Sequence, residues 1–98
     1  MNIVKNLEGT TLTLALEGRL DTTTSPQLEI LLNAELDGIV ELVFDFAKLD
    51  YLSSAGLRVL LAAQKRMNKQ GSMKLRNVNA TVKEVFEITG FADFLTFE

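Results

Sequence analysis

Regular alternation of apolar and polar residues predicts the first two strands. From Thr11 to Glu17, leucine recurs at every second position with polar or small residues between, which is the period of a half-buried strand. A weaker run over residues 2–7 precedes it across Glu8-Gly9, a dipeptide that suits a hairpin turn. We therefore expect the chain to open with an antiparallel pair of strands.

A helical pattern follows the second strand. The segment from Thr22 to Pro26 offers hydroxyl side chains for an N-cap and a proline for the first helical position. Apolar residues then recur at helical spacing up to about Asp37: Leu28, Leu31, Leu32 and Leu36. Gly38 comes next, where a left-handed C-terminal cap favours glycine. These features predict one amphipathic helix.

A buried strand and a second helix occupy the middle of the chain. The run Leu42-Val43-Phe44, with Phe46 close by, is too short for a buried helix and predicts a central strand covered on both faces. A helix is predicted from Ser53 or Ser54 to Gln70, with basic residues outside an apolar stripe. The stripe comprises Leu57, Leu60, Leu61, Gln64 and Met67.

Two shorter elements complete the pattern. Gly71 is expected to close the second helix as Gly38 closes the first, and Met73 and Leu75 alternate with polar residues in a short strand. Residues 81–89 form a third helical pattern, followed by Gly90. The order β-β-α-β-α-β-α predicts a single α/β domain over residues 1–98, with a mixed sheet of about four to five strands packed against helices. Ligand-facing residues are expected at the carboxyl ends of its parallel strands.

Composition narrows the chemistry. The 98 residues include neither cysteine nor histidine, which excludes disulfides, thiolate metal sites and histidine-based catalysis. A net charge of -3 disfavours a nucleic-acid surface. No apolar run approaches the roughly 20 residues of a spanning helix, and the first residues show no signal pattern. We therefore expect a cytoplasmic protein with no cofactor, no nucleic-acid partner and no insertion into a membrane.

The candidate site is the segment 49–58, which joins the buried strand to the second helix. Ser53 or Ser54 can cap this helix by accepting a backbone N–H bond. A phosphoserine would also be tolerated there, because a helix N-terminus offers free N–H groups and a positive dipole end. Arg58 lies four residues beyond Ser54, close enough to neutralise a phosphate, although a solvated surface charge is the simpler role.

Several motifs resemble the STAS family, named for sulfate transporters and anti-sigma factor antagonists. The family's strand followed by Gly-x-Leu-Asp is matched by residues 16–21, and its next helix start by Thr24-Ser25-Pro26. Its short helix ending in Gly-Phe is matched by the segment 82–91. The family pattern Asp-Ser-Ser-Gly corresponds to Ser53-Ser54-Ala55-Gly56, with Ser53 in place of the acid. The resemblance covers nearly the whole chain.

The resemblance implies an anti-sigma factor antagonist and not an enzyme. It puts the phosphoacceptor at Ser54, with Ser53 as a competing acceptor. Unphosphorylated, such a protein would bind an anti-sigma factor with serine-kinase activity and thereby free a sigma factor. Phosphorylation would end the binding, and a metal-dependent serine phosphatase would reset the switch. Asp21 matches a family acid near the acceptor, although a role as turn or capping residue is nearly as plausible.

The expected partner-binding face combines the loop at the rim with the start of the second helix: Asp21, Tyr51, Leu52, Ser53, Ser54, Gly56 and Arg58. Burial of Tyr51 and Leu52 beneath the loop is the competing interpretation. Phe91, Phe94 and Phe97 are assigned to core and end packing.

Other functions are compatible with the same sequence. A STAS-like domain can serve as an accessory or regulatory subunit of a membrane transporter, or as a constitutive binding module. An enzyme with Ser54 as nucleophile would need Lys48 or a carboxylate such as Asp21 as its base, and no Gly-x-Ser-x-Gly elbow surrounds this serine.

Overall fold

The order of strands and helices follows the predicted pattern. The computed structural model describes every residue from Met1 to Glu98. The elements are β1 (Asn2–Glu8), β2 (Thr11–Leu20), α1 (Ser25–Glu35), β3 (Glu41–Leu52), α2 (Ser54–Gln70), β4 (Ser72–Arg76) and α3 (Ala80–Ile88), with a 3-10 turn at Ala92–Phe94. This confirms a single α/β domain with the order β-β-α-β-α-β-α.

The four strands form one mixed sheet in the order β1-β2-β3-β4. β1 is antiparallel to β2, as the hairpin pattern predicts, whereas β2, β3 and β4 are parallel. An isolated parallel bridge joins Leu75 to Phe97 beside β4. Because β2 and β3 are parallel and paired as far as Leu20 and Leu52, their carboxyl ends meet at one rim.

The hydrophobic core lies on one face of the sheet. The alternating leucines of β2 are fully buried there, together with Phe44 and Phe46 of β3, in a cluster of 23 buried residues to which all three helices contribute. Val43 is buried but lies outside this cluster, between Thr13 and Lys74 of the neighbouring strands. The run Leu42-Val43-Phe44 is thus buried on both faces of a central strand, as predicted, although the hydrophobic core packs against only one of them.

The helices begin close to the predicted positions, but the caps of α1 and α3 differ from the prediction. Pro26 lies in the first turn of α1, but the Thr24 side chain makes no capping bond. The Thr24 hydroxyl instead accepts from the Asp21 N–H at 2.9 Å and donates to the Arg19 carbonyl at 2.8 Å. The hydroxyl cap expected for α1 is therefore absent. Asn79 caps α3 by accepting from the Val82 N–H, a cap that was not predicted from the sequence.

The helix ends use glycine for two different reasons. Gly38, with φ +80°, has the predicted left-handed conformation, but it lies in the turn after α1, whose cap is Leu36 in the right-handed region. Gly71 instead has an extended φ of 172°, and a Cβ placed on it would lie 1.8 Å from the Val40 carbonyl oxygen. Glycine is needed at Gly71 because another part of the backbone passes close by, so the predicted likeness between the two caps is wrong.

The aromatic residues after α3 differ in burial. Phe97 packs edge-on against the buried Phe86 with ring centroids 5.4 Å apart, and Phe91 is half-buried. Phe94 is 66% exposed and is not a core residue, although its ring lies 5.8 Å from that of Phe91 near the end of the chain. No helix is both long enough and apolar enough to cross a membrane.

Candidate functional site

The candidate site is assembled where β2 and β3 end. The backbone N–H of Ser53 donates to the Leu20 carbonyl at 2.9 Å, which holds the start of α2 against the end of β2. Gly56 is buried in this contact, and a Cβ there would lie 2.6 Å from Leu20 Cγ and 2.9 Å from the Leu20 oxygen. Gly56 therefore permits close packing of the helix on the strand.

The two adjacent serines have different environments. Ser53 precedes α2 in an extended conformation, and its hydroxyl accepts from the Gly56 N–H at 3.4 Å. Ser54 is the first residue of α2 and is exposed, and its hydroxyl takes part in no hydrogen bond within the chain. The capping role thus belongs to Ser53, which leaves the Ser54 hydroxyl available to a partner.

Asp21 shapes the turn after β2. Its Oδ1 accepts from the Thr24 N–H at 3.1 Å and from the Thr23 N–H at 3.0 Å. These backbone hydrogen bonds, the one from Thr24 above all, lower the pKa of the Asp21 carboxyl, because they stabilise its charged form. No hydrogen bond joins Asp21 to Ser53 or Ser54. The structure supports the interpretation of Asp21 as a turn residue.

Arg19 connects Asp21 to Tyr51, a link that was not predicted from the sequence. Its guanidinium carbon lies 4.1 Å from the centre of the Tyr51 ring, and its Nε lies 3.5 Å from Asp21 Oδ2. The parallel register places Arg19 opposite Tyr51, so a correct register would have identified the pair. A cation over an exposed aromatic ring contributes about 0.5–1 kcal/mol. The contact holds the Tyr51 side chain, 40% exposed, at the rim.

Only part of the predicted partner-binding set reaches the surface. Leu52 is 2% exposed and Gly56 is buried, so the expectation that they contribute to an exposed face is wrong. Leu52 is the last residue of β3, and its apolar side chain closes the core beneath the rim. Tyr51, Ser54 and Arg58 are exposed. Arg58 lines a shallow depression between the starts of α1 and α2.

The group that the candidate site offers for chemistry is the exposed hydroxyl of Ser54. Lys48, considered as a base for Ser54, lies 3.8 Å from Glu17 on the strand and makes no hydrogen bond with the serine. Asp21 is a weak base, because the hydrogen bonds that lower the pKa of its carboxyl reduce its affinity for a proton. Neither Lys48 nor Asp21 is therefore placed to activate Ser54 as a nucleophile.

Comparison with known proteins adds sequence and fold relationships. The profile of the STAS domain matches residues 2–98. BtrV of Bordetella bronchiseptica, assigned as an anti-sigma factor antagonist, is 44% identical over 78 residues, which cover 78% of this chain and 67% of that protein. The anti-sigma-B factor antagonist of Staphylococcus aureus is 29% identical over 80 residues, covering 80% of this chain and 74% of that protein.

The fold is also found in solved structures. The anti-sigma factor antagonist SpoIIAA in its unphosphorylated form superposes with a TM-score of 0.85 at 19% identity, covering 99% of this chain and 88% of SpoIIAA. The phosphorylated form of this Bacillus protein superposes with a TM-score of 0.78 at 18% identity, covering 99% of this chain and 91% of that one. At these identities the likeness shows a shared fold.

Proposed function

Because the chain belongs to the STAS domain family, we propose that it is an anti-sigma factor antagonist whose binding is switched by phosphorylation of Ser54. BtrV and the Staphylococcus aureus relative are named as anti-sigma factor antagonists, and antagonists of this kind are regulators and not enzymes. In its unphosphorylated form the chain binds an anti-sigma factor with serine-kinase activity and so releases a sigma factor in the cytoplasm. A metal-dependent serine phosphatase restores the binding form.

The free hydroxyl of Ser54 is the observation that carries this proposal. It is exposed at the first position of α2, while the neighbouring Ser53 hydroxyl is engaged in the helix cap. A kinase needs an accessible acceptor whose modification leaves the fold intact. The Ser53 hydroxyl is directed at the Gly56 N–H and would have to leave this position to be phosphorylated, whereas the Ser54 hydroxyl makes no bond within the chain. Ser54 is therefore the better acceptor.

A phosphate on Ser54 would act on binding more than on folding. It adds about -1.5 to -2 charges at the N-terminus of α2, where a negative charge is favourable by roughly 0.3–1 kcal/mol. Arg58, one turn further along α2, is exposed and in no ion pair, so it can approach the phosphate. In a docked complex the same dianion would lose its hydration or would repel the partner, and either effect would weaken binding by on the order of several kcal/mol. Binding is thus lost while the domain stays folded.

The test uses the anti-sigma factor kinase of the host, ATP and intact-mass analysis with fragmentation. We expect one phosphate on Ser54, none on Ser54→Ala, and one on the matched control Ser53→Ala. Ser54→Asp should bind the anti-sigma factor at least about ten-fold more weakly than wild type, because it places an anion at the same point. Equal affinities for Ser54→Asp and wild type would contradict the switch, and selective binding to a transporter subunit would contradict the sigma-regulating role.

A further inference from the structure

The outer face of α2 carries a concentration of unpaired positive charge. Six of the ten lysine and arginine side chains are in ion pairs, and Lys83 lies 5.3 Å from the centre of the Phe97 ring. The three that remain, Arg58, Lys65 and Lys69, are all exposed on α2. This helix contains no acidic residue, although the chain as a whole has a net charge of -3. The positive charge is thus segregated onto one helix.

These three cations share one side of the helix and are called the basic stripe. At about 100° per residue, Arg58, Lys65 and Lys69 fall within a sector of roughly 40°. Lys69 lies eleven positions after Arg58, so the stripe runs for about 17 Å along α2. Ser54 projects near the same line at the start of the helix. The stripe therefore leads away from the serine towards the other end of α2.

An apolar groove lies beside the far half of the stripe and is called the aromatic groove. It runs between α2 and the segment after α3, and its lining residues are Leu61, Gln64, Lys65, Asn68, Phe91 and Phe94. The rings of Phe91 and Phe94 are 5.8 Å apart, and Phe94 is 66% exposed. Lys65 belongs to both surfaces, so the positive charge and the apolar groove are continuous.

We propose that the basic stripe and the aromatic groove form one docking surface for an acidic helical segment of a protein partner. Carboxylates on the segment face Arg58, Lys65 and Lys69, and one apolar side chain sits against Leu61, Phe91 and Phe94. The inference rests on the proposed function in one respect, namely that the binding partner is a protein. The residues it uses differ from the Ser54 hydroxyl, so the two can be tested separately.

Charge and shape favour this occupant over a lipid surface or nucleic acid. Lipid-binding basic clusters contain about four to eight lysine or arginine residues, and affinity for nucleic acid grows with the number of phosphates neutralised. Three cations on a chain of net charge -3 are too few for either role, but they suffice to orient an acidic helix. The groove is also concave, so it accepts an apolar side chain from a partner.

The experiment uses a designed acidic peptide as probe. The peptide is a fluorescein-labelled amphipathic helix of about 16 residues, long enough to follow the stripe, with glutamate on one face and leucine beside it. Its binding is measured by fluorescence anisotropy to wild type, to the double variant Lys65→Glu and Lys69→Glu, and to Phe94→Ala. Lys48→Glu, which reverses an exposed charge on the sheet, is the matched control. Circular dichroism establishes that each variant is folded.

We expect saturable binding that weakens about ten-fold in the charge-reversed variant, about five-fold in Phe94→Ala, and less than about two-fold in Lys48→Glu. Raising the salt from about 50 to about 300 mM should weaken binding further. The proposal is overturned if the peptide fails to bind, if a lysine-rich peptide binds equally well, or if charge reversal has no effect. It is also overturned if phosphatidylserine vesicles or a second copy of the chain bind the same residues more tightly. None of these results depends on whether Ser54→Asp loses the anti-sigma factor.

Discussion

Replacing Gly56 with alanine tests whether α2 is held rigidly against the end of β2. The added Cβ would lie 2.6 Å from Leu20 Cγ and 2.9 Å from the Leu20 carbonyl oxygen, both closer than real contacts allow. Overpacking of this kind costs about 1–3 kcal/mol. Moving the Leu20 carbonyl weakens its hydrogen bond to Ser53, worth about 1 kcal/mol, whereas alanine regains about 1 kcal/mol of helix propensity. The net expectation is a loss of about 2 kcal/mol.

Urea denaturation measures this loss, and amide hydrogen exchange locates it. The free energy of unfolding should fall without a change in the denaturant slope, and the Ser53 amide should exchange faster than in wild type. Gly9→Ala is the matched control, because Gly9 has φ +61° but a Cβ added there would meet nothing within 4 Å. It should cost about 1–2 kcal/mol through backbone strain and leave Ser53 unchanged. A Gly56→Ala protein as stable as wild type, with normal Ser53 exchange, would refute the rigid contact.

Three further predictions concern stability. Gln64 is 8% exposed and its Oε1 accepts no hydrogen bond. Gln64→Met should therefore raise the free energy of unfolding, measured by urea titration, by about 1 kcal/mol. A lower free energy of unfolding would show that the amide oxygen is satisfied in the wild type. Asn79→Ala should lower it by about 1–2 kcal/mol, since Asn79 caps α3 and donates to the Leu49 carbonyl at 3.0 Å; an unchanged midpoint would refute this. The hydrogen bond from Asn77 lowers the pKa of the Asp45 carboxyl in the folded protein. The ionised carboxyl therefore stabilises the fold above the unfolded pKa near 4, and this stabilisation is lost as the pH falls through the folded pKa. The stability difference between wild type and Asp45→Asn should therefore shrink below about pH 4, and a constant difference would contradict this linkage.

The element order could be predicted because it depends on local periodicity. The leucines of β2 alternate with polar or small residues, and the apolar stripe of α2 repeats at helical spacing. Both patterns can be read without knowing how the rest of the chain folds. The predicted start of α2 at Ser53 or Ser54 agrees with the structure. Features that depend on distant neighbours were not accessible in this way. Gly71 is glycine because Val40 passes beside it, and the two residues are far apart in sequence.

The candidate site shows the same division. The sequence identified the segment around Ser53 and Ser54, but both residues can cap a helix, and only the fold shows which hydroxyl is engaged. For Leu52 the sequence left open a place at the partner-binding face or burial beneath the loop, and the structure shows burial, because β3 continues to that residue. Competition for one hydroxyl likewise removed the expected hydroxyl cap of α1, because the Thr24 oxygen is bonded to Arg19 at the end of β2 and to Asp21 in the turn.

The agreement between sheet order and chain order bears on how the protein reaches its fold. Every strand pairs with the strand before it in sequence, so no strand must wait for a distant segment before it finds a neighbour. The β1 and β2 hairpin closes the shortest loop, and each later crossover adds one strand to an edge that already exists. During synthesis, which delivers the amino-terminal part first, the sheet can grow outward in step with the ribosome. Such sequential assembly limits the time for which an unpaired strand is exposed to other chains.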